Sequence, residues 1–399
     1  MCKSGSGASI WKPTIVIWQG VGCLAYTLSA VIILIVLLPS CGERRQKSVT
    51  SAEIIAKVEV PESGKSFDVG QMADLEKVIP LETAEDVLIG TIDKLEMDDS
   101  HIVILDKRMR TVWLFGIDGR FIRKIGRLGN GPKEYVSLDD MCFDKESGTV
   151  WIWDRIKQVM FEYDLVGELL KEVATGFSSN VFAKTKDGFW LYYSYLKNPD
   201  NSTLILVDEK MDRLVKGYFP TKEPFQVSMS SGFTSLGRKE YFYFPQSNVL
   251  YSLDGTDALP YIEFDFGEQT LPYSRIMQMS EVEYKALVGS GSYMGNLMNV
   301  RLSDKYCFFQ FSSTVENKYV TVYYGVLDLK TSEVEVFSYL APSDLLVDFS
   351  SLLCVTAGDE LVYPIYPSKY DPMYYDELRT LVPDVTEESN PVLALYKLK

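Results

Sequence analysis

The sequence holds a single histidine, His101, in 399 residues. Zinc proteases that need two histidines on one helical turn are therefore excluded, and a Ser-His-Asp triad would have to use His101 itself. It follows Asp98-Asp99-Ser100 at the start of an apolar run, a place for an ordinary strand-edge residue. Cysteine is also scarce. Apart from Cys2, Cys23 and Cys41, only Cys142, Cys307 and Cys354 remain, far apart and each in an apolar, strand-like run. They read as small buried hydrophobes, and neither a disulfide framework nor a metal cluster is expected. Calcium loops of the D-x-D-x-D-G type are missing. So is any patch rich in Lys and Arg: the net charge is −15, and −17 without residues 1–40, whose only charges are Lys3 and Lys12. A surface this acidic repels nucleic acid. The chain is expected to use no cofactor, no metal and no nucleic acid.

Phosphate-loop chemistry is missing as well. In IGRLGNGPKEYVSLDDMCFD (Ile125–Asp144) three glycines precede Pro132, no Gly-Lys-Ser/Thr pair follows, and the next residues alternate like a short strand. A phosphate cradle needs a helix start after its glycines. The segment reads as a turn joining two strands.

What is present begins at the N-terminus. No charged residue lies between Lys12 and Glu43, and the apolar run AVIILIVLL (Ala30–Leu38) ends in Leu38-Pro39-Ser40-Cys41. A basic start, an apolar stretch and small residues make a secretion signal. The Leu-Pro-Ser-Cys end resembles a bacterial lipobox, which implies cleavage behind Ser40 and acylation of Cys41. The stretch is also long enough to span a bilayer uncleaved, and a start codon further downstream is open. The expected location is the cell envelope, lipid-anchored to the outer membrane, facing either the periplasm or the outside.

After residue 76 the chain repeats itself. HIVILDKRMRTVWLFGIDGRFIRKIG (His101–Gly126) aligns with TVWIWDRIKQVMFEYDLVGELLKEVA (Thr149–Ala174) at an offset of 48, matching Asp106 to Asp154, Phe115 to Tyr163 and Gly119 to Gly167. Each unit reads as strand, Asp turn, strand, Gly turn, strand. Weaker copies are Thr203–Phe219, Asn248–Gly255, Tyr319–Ser338, Glu360–Tyr366 and Pro391–Lys399. Units of about 50 residues with several strands each indicate a β-propeller. The expected organisation is a signal peptide over 1–40, a tether and first strand (Ile54–Val60) over 41–75, and an all-β, six-bladed propeller over 76–399. One end strand is expected to complete the last blade with residues from the opposite end of the chain. Two helical insertions are expected, at 280–288 with Ser280 and Glu283 as a capping box, and at 372–382 with Asp371 as N-cap and Pro372 first in the helix.

Val78–Asp106, the FGIDGRFIRKIG turn and the GNGPKEY loop together resemble the six-bladed β-propeller lipoproteins abundant in gut-type Gram-negative bacteria, relatives of NHL-type propellers. The resemblance is specific over about residues 77–172 and looser beyond. In that family the loop usually reads G-x-G-P-G-E-Y. Lys133 stands here where the family has its third glycine, which puts any role needing positive φ there in question. The resemblance implies that GNGPKEY joins the outer strand of one blade to the inner strand of the next, near the mouth of the central channel. It brings no catalytic residues with it.

The candidate binding residues are accordingly Asn130, Lys133, Glu134 and Tyr135. No catalytic residue is assigned: the pairs Asp98-Asp99 and Asp139-Asp140 are carboxylates by type only, since neighbours on a strand point to opposite faces. Aromatic runs at Phe189–Leu196, Lys239–Pro245 and Asp371–Leu378 read first as packing between sheets, and second as rings for sugars or a partner protein. The expected function is a membrane-tethered, non-catalytic module that binds an unknown protein or glycan. The alternative is a carboxylate-dependent glycan-active hydrolase or lyase.

Overall fold

The computed structural model describes residues 51–62, 64–193, 201–220, 232–291, 293–315, 319–340, 351–369 and 375–399. Six four-stranded antiparallel sheets follow one another as the blades of a β-propeller. From inner to outer strand, blade 1 is Lys94–Met97, His101–Asp106, Thr111–Gly116 and Phe121–Ile125, and blade 2 is Asp140–Asp144, Thr149–Asp154, Val159–Asp164 and Leu169–Ala174. Blade 3 is Val181–Thr185, Gly188–Tyr192, Ser202–Val207 and Leu214–Pro220, and blade 4 is Phe233–Leu236, Lys239–Phe242, Val249–Asp254 and Asp257–Asp265. Blade 5 is Met294–Leu302, Tyr306–Val315, Tyr319–Asp328 and Val334–Phe337.

Blade 6 closes the ring. Cys354–Val355, Glu360–Ile365 and Val392–Leu398 come from the C-terminal end, and Ala73–Pro80 from the N-terminal side supplies the outer strand. Closure of this kind leaves the ring without a free first or last blade. The strands ahead of residue 76 are therefore part of the sheets and not a loose lead. Ile54–Lys57 adds a fifth, parallel strand to the outer edge of blade 4, and Ser66–Phe67 pairs with Tyr339–Leu340.

The blades are apolar on both faces because each is sandwiched between two others. In HIVILD, Ile102 and Ile104 face blade 6 while Val103 and Leu105 face blade 2, and all four are buried. That is the two-residue period of a strand with no solvent side. Six hydrophobic clusters result, one at each blade-to-blade interface. The rings of Phe189–Tyr193 and Tyr241–Phe244 are buried within them, so these runs are core.

Strand alternation also sorts the connections. Links from inner to second and from third to outer strands lie at one end of the ring, here the lower face; the other links lie at the upper face. The helices Tyr273–Ile276 and Glu281–Gly289 lie between blades 4 and 5, and helix Tyr375–Leu381 between the second and third strands of blade 6. Both insertions thus belong to the upper face, as does GNGPKEY. The capping box forms: Ser280 N donates to Glu283 Oε2 at 2.7 Å, and Glu283 N to Ser280 Oγ at 3.3 Å. Asp371 and Pro372 lie outside the described residues.

Candidate functional site

The matched aspartates of the sequence repeat fix the upper face. Asp106 and Asp154 are fully buried at the ends of the second strands of blades 1 and 2. Asp154 accepts from Val136 N at 2.7 Å, Ser137 Oγ at 2.8 Å and Lys157 N at 2.9 Å. Asp106 accepts from Gly90 N at 2.7 Å and Met109 N at 2.9 Å. Each buried carboxylate satisfies the main-chain donors of the loop that enters its blade.

GNGPKEY is such a loop, running from the outer strand of blade 1 toward the inner strand of blade 2. Glu134 turns inward, accepting from Gly131 N at 2.8 Å and pairing with Arg127 Nε at 3.1 Å. Tyr135 is buried and its hydroxyl donates to Arg110 O at 3.0 Å. Asn130 and Lys133 are exposed. Lys133 adopts φ 64°, so the positive φ is kept here without a glycine; its carbonyl accepts from Tyr163 OH at 3.3 Å. None of Asn130, Lys133, Glu134 and Tyr135 lines the central cavity. The fold gives the loop a structural role through Glu134 and Tyr135.

The central cavity lies elsewhere, between the inner strands. Their inner edges have unpaired main-chain groups that no further strand can satisfy. Charged side chains of the preceding blade reach across to them. Lys94 Nζ donates to Met141 O at 2.6 Å, and Glu96 Oε2 accepts from Phe143 N at 2.8 Å. Asp140 Oδ2 accepts from Phe182 N at 2.9 Å, and Arg301 Nε donates to Leu353 O at 2.8 Å. Contacts run in ascending order along each pair, so neighbouring inner strands point the same way. Lys94 also lies 3.2 Å from Glu96 and 3.4 Å from Asp140. Burial alone would lower its pKa, but these carboxylates more than offset that and hold it well above the usual lysine value.

The cavity has a volume of about 110 Å3 and takes residues from all six blades. At its upper end are Asp93, Lys94, Lys107 and Asp140; toward the lower end are Glu96, Lys145, Thr234, Glu240, Arg301 and Cys354. Glu240 is the second residue of the second strand of blade 4, and its side chain has no hydrogen bond or ion pair among the described residues. Burial, and then the Glu96 carboxylate, push its pKa up to about 8, against the pull of Lys94 and Lys145. Burial likewise raises the thiol of Cys142, and that of Cys354 to about 12. Both stay protonated at neutral pH. Cys307 is a buried core residue as the sequence suggested, whereas Cys354 is only partly buried and borders the cavity.

The carboxylate pairs diverge, although neither lies wholly on a strand: Asp139 stands just ahead of Asp140–Asp144, and Asp98 and Asp99 are in the turn between Lys94–Met97 and His101–Asp106. Asp139 receives Arg155 N at 3.0 Å and Arg155 Nε at 3.1 Å, while Asp140 turns to blade 3. Asp98 Oδ1 accepts from Ser100 N and His101 N, both at 2.7 Å, and Asp99 is exposed. His101 Nδ1 lies 3.3 Å from Asp98 Oδ1 at the lower rim. Cys41 lies outside the described residues. Sequence reasoning missed Lys94, Glu96 and Glu240. The available signal was charge at alternate positions of KLEM (Lys94–Met97), a strand the repeat places innermost.

Solved structures give the same architecture. A protein of Bacteroides fragilis NCTC 9343 described as exported superposes with a TM-score of 0.65 at 17% identity, covering 87% of this chain and 99% of its own. A member of the DUF4221 family from Bacteroides vulgatus superposes with a TM-score of 0.52 at 11% identity, covering 82% of this chain and 98% of its own. At such identities the likeness is one of fold. No curated protein matches the sequence. A family described as a domain of unknown function, DUF4934, matches residues 53–397, and the chain belongs to that family.

Proposed function

We propose that this chain is an exported propeller, held to the outer membrane through acylated Cys41, that acts as a non-catalytic binding module with its ligand in the central cavity. The observation that carries the reading is the division of labour among the cavity acids. Asp93 receives Lys107 N at 2.8 Å, Glu96 receives Phe143 N and Asp140 receives Phe182 N, so three carboxylates serve the fold. Glu240 alone is uncommitted. Glycan hydrolysis by the usual route needs two carboxyl groups free to act together, and this cavity offers one. The exported relative in fold and the Leu-Pro-Ser-Cys sequence support the location. Among the described residues no helix is long and apolar enough to cross a membrane.

The test is thermal unfolding of the full chain against a library of small acids, amines, sugars and short peptides, repeated with Ser235→Trp to fill the cavity. Stabilisation by some member, lost in Ser235→Trp, is expected. Turnover of a glycan panel, lost in Glu240→Gln, would overturn the binding reading in favour of an enzyme.

A further inference from the structure

The lower end of the cavity has an electrostatic character opposite to the chain as a whole. Lys145 sits in the hairpin leaving the inner strand of blade 2, and Arg301 near the end of the inner strand of blade 5; neither has an ion pair among the described residues. Arg301 uses Nε on Leu353 O and Nη1 on Val300 O, both neutral carbonyls, so its charge is not cancelled. Glu240, from blade 4, lines the same end, and its side chain has no partner among the described residues. The other titratable groups facing this end are Lys94 and Glu96 from blade 1, which pair with each other, Glu360 from blade 6, which accepts from Thr356 Oγ1 at 2.9 Å, Tyr243 beside Arg301, and the thiols of Cys142 and Cys354. Two cations without an ion pair and an acid whose side chain has no hydrogen bond, at the partly buried lower end of one cavity, make a site for an anion that can also accept a hydrogen bond.

Resting on the binding reading above, we propose that this end of the cavity recognises a carboxylate, a small free acid or the carboxylate terminus of a larger ligand, held by the charges of Lys145 and Arg301 and by a hydrogen bond from the Glu240 carboxyl. The whole cavity, upper and lower ends together, has about 110 Å3 and so has room for a few-carbon acid; an engineered cavity of about 150 Å3 admits benzene. A neutral Glu240 at physiological pH, consistent with its raised pKa, is the form that donates. Binding then needs no proton exchange below about pH 8, and takes up one proton above it.

Three probes of one shape separate the possibilities: propionate, propionamide and propylamine, titrated calorimetrically into the full chain between pH 6 and 9.5. Propionate is expected to bind at least tenfold more tightly than the other two, with affinity flat to about pH 8 and falling about tenfold per unit above it. Glu240→Gln keeps a donor and is expected to bind propionate with no such fall. Lys145→Gln, in an exposed turn, is expected to weaken binding at every pH while leaving thermal unfolding unchanged. Tighter binding of propylamine, affinity for propionate that rises with pH, or a Glu240→Gln variant that still loses binding above pH 8 would overturn the proposal. If the ligand library stabilises the chain through the cavity but propionate does not bind, the carboxylate assignment falls and the binding module stands. If no member of the library stabilises it either, both fall.

Discussion

The carboxylate of Asp154, fully buried in blade 2, accepts the main-chain N–H of Val136 at 2.7 Å. The contact joins the end of a second strand to the loop that brings the chain in from blade 1, and Asp106 makes the equivalent contact with Gly90. Asp154→Ala would leave the Val136 and Lys157 donors without acceptors in the interior. A loss of about 3 kcal/mol in unfolding free energy is expected, measured by urea denaturation. A loss below about 1 kcal/mol would show that water replaces the carboxylate.

Gly126 and Lys133 both have positive φ, at 72° and 64°, yet opposite outcomes are expected from substituting them. A Cβ on Gly126 would lie 2.9 Å from the Tyr135 ring and 3.1 Å from that of Tyr163, both buried. Gly126→Ala is expected to destabilise by about 2 kcal/mol or more, from strain and crowding together. Lys133→Gly relieves an unfavourable conformation at an exposed position, and should be neutral or stabilise by up to about 1 kcal/mol. Thermal unfolding of the two variants checks the contrast.

Glu240 should make stability fall with pH over a defined window. Its folded pKa, about 8, lies above the ordinary glutamate value of 4.5. Between these values the unfolded chain has released its proton while the folded chain retains it, so the folded state binds more protons and stability declines as pH rises. Below pH 4.5 and above pH 8 this contribution is constant. Glu240→Gln removes it. The stability of the variant relative to the parent should grow from pH 4.5 to 8 and then level off, as measured by denaturant titration. A difference that does not change with pH would mean that Glu240 ionises normally.

Cys41→Ala addresses the tether. Loss of acyl labelling and release from the membrane fraction are expected if Cys41 is the lipidated residue. A variant that stays membrane-bound would instead support the apolar stretch as an uncleaved span.

The six-blade architecture was legible because propeller blades are local. Each sheet forms from neighbouring strands, so HIVILDKRMRTVWLFG and its copy 48 residues later carry their pattern in contiguous sequence. The turn glycines Gly119 and Gly167 take the same conformation, with φ 82° and 84°. The capping box at Ser280 was legible for the same reason. The cavity was not, because its chemistry arises between blades. Glu96 meets Phe143, and Asp140 meets Phe182, only once consecutive blades stand side by side. Whether a charged residue at the cavity serves the next blade or remains available, as Glu240 on a second strand does, depends on which main-chain edge comes within reach of it. The inner edges must find partners, and the sequence shows only residue types at alternate positions. The tertiary structure alone decides which charges are consumed in holding the ring together and which remain available to a ligand.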